Sequence, residues 1–75
     1  MWAVTFVYED GDNATYLHDT REGCVDEVKG TFDARKEEAS LWKEFTNSAN
    51  QKTLELHHED GGIETIIAVI SHLYS

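Results

Sequence analysis

The chain has 75 residues, with fifteen Asp and Glu against six Lys and Arg, a formal net charge of −9, one cysteine and no proline. So acidic a composition repels nucleic acid and anionic membranes and favours a basic or cationic partner. One domain spanning 1–75 with one small core is expected at this length, and a 40% hydrophobic content is too apolar for disorder.

Met1-Trp2 opens the chain without a basic or apolar leader. The longest apolar run, 66–70, falls far short of the roughly 20 residues of a membrane span. Cys24 alone can form no internal bridge, which suits a reducing compartment. These features predict a cytoplasmic protein (host cytoplasm if the source is viral) that folds without disulfide, metal or cofactor.

Residues 2–9 (WAVTFVYE) are β-branched and aromatic with a loose period of two, and predict a strand. Asp10-Gly11-Asp12-Asn13 marks a hairpin turn, because Gly, Asn and Asp tolerate positive φ. Residues 14–18 form the return strand. With an even number of loop residues, Trp2, Val4, Phe6 and Tyr8 share the core face with Thr15 and Leu17, so that Phe6 and Leu17 are buried together.

Asp19-Thr20-Arg21-Glu22 has the acceptor and acid of a capping box, and Val25, Val28 and Phe32 follow at helical spacing. Gly30 interrupts this helix. A second helix is expected from near Asp33 to about Asn47, with Leu41, Trp42 and Phe45 as its apolar stripe; one long bent helix is the alternative. Residues 52–58 alternate cleanly, Leu54 and Leu56 against Thr53, Glu55 and His57, as in a strand with one wet face. Asp60-Gly61-Gly62 ends it. Ile63, Ile66, Ile67, Ile70, Leu73 and Tyr74 fit a helical period, which outweighs their β-branching and predicts a C-terminal helix. The expected fold is α+β in the order ββααβα, a three-stranded antiparallel sheet covered on one face by helices.

Chemistry-bearing motifs are weak. His57 and His58 are neighbours on a strand and point to opposite faces, while His18 and His72 lie on other elements, so no metal-ligand spacing is present. Asp10, Gly11 and Asp12 begin like a calcium loop, but positions six and twelve are Thr15 and Arg21 where such a loop needs Gly and Glu. Cys24 sits among Glu22, Asp26 and Glu27, which raise a thiol pKa and suppress its reactivity. No phosphate-cradling loop occurs. No catalytic residue and no enzymatic activity are therefore assigned.

The charge distribution says more. Seven acids against Arg21 fall between Glu9 and Glu27, and Glu55, Glu59, Asp60 and Glu64 form a second group. Carboxylates spaced along an exposed surface can replace phosphates, as in nucleic-acid mimics, and such contacts speed association. The expected function is a small acidic interaction protein that binds and inhibits a basic, nucleic-acid-handling protein. Its expected contacts are Asp10, Asp12, Asp19, Glu22, Asp26 and Glu27, with Tyr16 or Tyr8 as aromatic anchor. Small size, acidity and lack of catalytic motifs give the chain the general character of phage and mobile-element accessory proteins, anti-defence inhibitors among them. Two other readings stand beside this one. One is a small-ligand or metal module using His18, His57, His58 and His72; the other is a homo-oligomeric domain whose exposed sheet face or edge meets a copy of itself.

Overall fold

The computed structural model describes residues 1–74. It places β1 (Trp2–Tyr8) and β2 (Asn13–His18) before a single helix, α1 (Arg21–Lys36). β3 (Leu41–Ser48), β4 (Gln51–His57) and β5 (Ile63–His72) follow. All five strands form one antiparallel sheet in the order β2-β1-β5-β4-β3. This overturns the expected ββααβα order and its three-stranded sheet. The helix expected over 33–47 is replaced by the end of α1 and an edge strand. The C-terminal helix is replaced by β5, which lies between β1 and β4.

The two hairpin turns at one end of the sheet are built alike. In the first, Tyr8 N–H donates to Asp12 O and Gly11 N–H to Tyr8 O, enclosing Glu9, Asp10 and Gly11. In the second, His58 N–H donates to Gly62 O and Gly61 N–H to His58 O, enclosing Glu59, Asp60 and Gly61. Gly11 and Gly61 hold φ of 90° and 89°, the positive region that a three-residue hairpin loop demands of its last residue. Each Asp locks its turn through Oδ1, which accepts from the backbone N–H two residues on, at 2.9 Å for Asp10 and 2.8 Å for Asp60.

A loop with an odd number of residues sets the register. Val4 pairs with Tyr16 and Phe6 with Ala14, so the sharing of a face by Phe6 and Leu17 does not occur. Leu17 is 59% exposed on the opposite side of the sheet. In every ladder, until the bulge between Thr46 and Ser48, even-numbered residues pair with even and odd with odd. Even-numbered strand residues therefore face α1, and odd-numbered ones face away from it.

α1 starts at Thr20, whose hydroxyl accepts from Gly23 N–H at 3.1 Å, so the cap is Thr20 and not Asp19. The helix runs unbroken through Gly30 and buries Cys24, Val28 and Phe32. These meet Val4, Phe6, Leu54, Leu56, Ile66, Ala68 and Ile70 from β1, β4 and β5 in one core. Val25 is left 40% exposed because it lies at the flank of this stripe. One helix cannot cover five strands, and all eight residues of β3 are exposed. The β3–β4 hairpin is tied to the rest at its turn, where Arg21 donates from Nε and Nη2 to Asn50 Oδ1 at 3.2 and 3.1 Å and also to Ala49 O.

Among the described residues no helix is long and apolar enough to cross a membrane.

Candidate functional site

The topology sorts the acids by position along the strands. β1 and β5 are neighbours, so the Glu9-Asp10-Gly11 and Glu59-Asp60-Gly61 turns lie at the same end of the sheet, about two strand spacings (roughly 10 Å) apart across it. Tyr8 pairs with Ile66 while the second turn closes at His58 and Gly62, so the second turn reaches about four residues, roughly 13 Å, further along the strands. α1 runs toward the same end, where Arg35 Nη2 donates to both carboxylate oxygens of Glu64, at 2.7 and 2.6 Å. Glu37 and Glu38 follow the helix there. Glu9, Asp10, Asp12, Glu37, Glu38, Glu59, Asp60 and Glu64 thus gather at one pole, more than half of the fifteen acids.

Between the first turn and the helix end lies an open depression of about 450 Å³, lined by Tyr8, Glu9, Asp10, Asp12, Asn13, Ala14, Arg35 and Glu64. Arg35 Nε also lies 2.7 Å from Glu38 Oε2. Burial alone would lower the affinity of Arg35 for its proton, but the Glu64 and Glu38 carboxylates outweigh it and hold the guanidinium charged. The one cation in the depression is thereby neutralised from within, and the turn carboxylates of Glu9 and Asp12 remain available to a visitor. Asp10 is less so, because its Oδ1 holds the turn.

The expected contact residues do not form one surface. Asp10 and Asp12 are at this pole, while Asp19, Glu22, Asp26 and Glu27 are at the other, where β2 ends and α1 begins. A six- to seven-residue strand separates the two groups by roughly 20 Å. Glu27 is spent internally, with Oε1 2.9 Å from His18 Nε2. The His18 ring packs so close to the helix that a Cβ at Gly23 would lie 2.9 Å from its Nδ1. Tyr16 lies on the helix side of edge strand β2, 47% exposed, with its ring edge-to-face on Phe6 at 6.1 Å. Tyr8 lines the depression itself. Glu59, Asp60, Glu37 and Glu38 join the pole without having been expected there. The repeated Glu-Asp-Gly triplet at 9–11 and 59–61 is the signal in the sequence that points to the paired turns.

The histidines are dispersed. His57 Nε2 meets Glu55 Oε1 at 2.6 Å, His58 Nε2 meets Glu64 Oε1 at 3.2 Å, and His72 stacks between Trp2 and Tyr74 at ring distances of 4.6 and 4.7 Å. Among the described residues no three of His, Cys, Asp and Glu converge on a space fit for a metal ion.

Four of the six bases, Arg21, Lys29, Lys36 and Lys52, line a separate groove of about 450 Å³ between α1 and the β3–β4 hairpin. There they meet Asp33 and Glu44. Lys29 Nζ lies 2.7 Å from Asp33 Oδ2, while Lys36 Nζ lies 3.3 Å from Glu44 Oε1 and 4.0 Å from the Trp42 ring centre. Concentrating four bases here leaves Arg35 as the base that lines the depression at the acidic pole.

Cys24 is fully buried, and burial, then the Glu27 charge, push its thiol pKa up against a smaller opposing pull from Arg21. The stability this gives is present below the ordinary value of 9.0 and is lost as pH rises through the folded value. A disulfide reagent at pH 7.5 should therefore label the native chain at least 100-fold more slowly than the urea-unfolded chain. Equal rates would mean that the thiol is open to solvent.

No family model, curated protein or solved structure matches this chain.

Proposed function

We propose that this protein is a small acidic interaction protein that binds a basic, nucleic-acid-handling partner and blocks it by occupying the surface that holds phosphates. The observation that carries this reading is the pair of matching Glu-Asp-Gly turns at one pole, staggered along the strands so that together they extend the acidic surface. Their Asp residues rigidify the backbone, and their Glu residues project from it. Carboxylates on a fixed backbone lose little conformational freedom on binding, so more of their attraction to a cationic partner survives as affinity. The depression beside Tyr8 suits the stem and charged head of a partner Arg or Lys, with an aromatic ring to pack on and carboxylates at the rim.

The test is a pull-down from lysate at 50 and 500 mM salt with the unmodified chain and two double variants. Glu9→Lys with Glu59→Lys reverses the projecting charges without touching the Asp residues that lock the turns. It should fold normally and lose at least 100-fold in affinity for the captured basic protein, since like charges then face each other. Glu22→Lys with Asp26→Lys, at the far pole, should bind within about threefold of the unmodified chain, as rim and remote charges contribute little. Duplex DNA should compete for the captured protein. Capture indifferent to salt, to DNA and to the Glu9 and Glu59 reversals would overturn the proposal.

A further inference from the structure

The side of the sheet away from α1 is unlike the rest of this acidic molecule. Its odd-numbered residues include Ala3, Thr5, Val7, Thr15, Leu17, Phe45, Thr53, Ile63, Thr65, Ile67 and Val69. Val7, Leu17, Leu41, Phe45 and Ile63 on this face are 39, 59, 58, 45 and 53% exposed. Of the fifteen acids in the chain, only Glu55 belongs to this face. Its charge is balanced locally, because Lys43 stands directly opposite in the ladder and His57 Nε2 lies 2.6 Å from its carboxylate.

We infer that this face is covered by the same face of a second copy, two sheets packing front to front with both helices outermost. Charge selects this arrangement. Two chains of net charge −9 repel each other in almost any orientation. Front-to-front packing brings together faces that sum to zero and puts the helical acids on the outside. Sheets pack about 10 Å apart and a helix lies about another 10 Å beyond each, so the helices end roughly 30 Å apart, several Debye lengths at physiological salt. Area agrees. Five strands about 4.8 Å apart and about seven residues long project roughly 550 Å². Side-chain relief brings the accessible area near the roughly 800 Å² per partner of a standard stable interface. A two-fold axis makes the contact self-complementary and closed, which prevents further growth into a fibre.

Sedimentation equilibrium between 1 and 500 µM, at 0.1 and 0.5 M salt, tests this. A mass twice that of the single chain is expected, and the dimer should tighten at the higher salt as residual repulsion is screened. That is the opposite of the salt response expected at the acidic pole, so failure of one idea is distinguishable from failure of the other. Leu17→Glu and Phe45→Glu should each weaken the dimer at least tenfold. Trp42→Glu, three residues before Phe45 in the chain but on the helix side of β3, should leave it unchanged. Should either open-face variant fail to fold, Lys43→Glu at an exposed position supplies the same test by giving the face a net negative charge. A single-chain mass throughout the range, or a dimer broken by Trp42→Glu and not by the open-face changes, would overturn the inference.

Discussion

Phe6→Ala should cost about 3–5 kcal/mol and leave much of the chain unfolded at 37 °C, because a domain of this length is stabilised by only about 4–11 kcal/mol in total. Phe6 has no exposed surface and sits where β1 meets the helix, its ring edge-to-face with Phe32 at 6.4 Å. Truncation removes the transfer energy of the ring and leaves a cavity that two flanking strands and a helix are too rigid to close. Urea unfolding followed by circular dichroism measures the loss. The doubly truncated Phe6→Ala, Phe32→Ala chain should show a coupling of about 1 kcal/mol from the aromatic pair. A Phe6→Ala variant within 1 kcal/mol of the unmodified chain would remove Phe6 from the core.

Ile66→Ala and Ile67→Ala should differ sharply. Ile66 is fully buried under α1, between Tyr8 of β1 and Leu54 of β4. Its truncation should cost about 2–5 kcal/mol. Ile67 points to the other face, is only partly buried, and in dilute solution should cost about 1 kcal/mol or less. A helix would place both residues on one stripe and make the two costs similar. Near-equal losses would therefore argue against β5 as a strand in this register.

That pair of isoleucines also explains which parts of the fold are legible in the sequence. β1 and β4 show their period because one of their faces is more polar than the other, and Thr20 announces the helix. β2 is marked by the turn before it and not by its faces, since Leu17 looks like core but lies on the open side. β5 is apolar on both faces, so its alternation disappears, and Ile63, Ile66, Ile67 and Ile70 imitate a helical stripe. β3 deceives in another way. Leu41 and Phe45 share its open side and Trp42 its helix side, a spacing of one and four that also fits a helix, while nothing between Lys36 and Leu41 (no Gly, no Pro) marks the end of α1. The acidic character of the surface is legible from composition, but its assembly is not. Asp10 and Glu64 are far apart in the chain and line one depression only through the pairing of β1 with β5. Without knowledge of β5 as a strand, the six acids between Asp10 and Glu27 look like one patch, when the strands divide them between two ends.

The shared odd-even parity of the four ladders bears on how this chain can change length. Inserting or deleting a single residue within β1, β4 or β5 would exchange the helix-facing and outward-facing sets of that strand; in β4 it would turn Glu55 toward the core position that Leu54 fills. The bulge between Thr46 and Ser48 is such an extra residue already, placed at the last step of an edge strand, where it reorients nothing beyond Ser48. Length variation in descendants of this sequence should accordingly collect at that bulge and in the segments 19–20, 37–40 and 49–50, with the strand interiors fixed in length even where their residues drift.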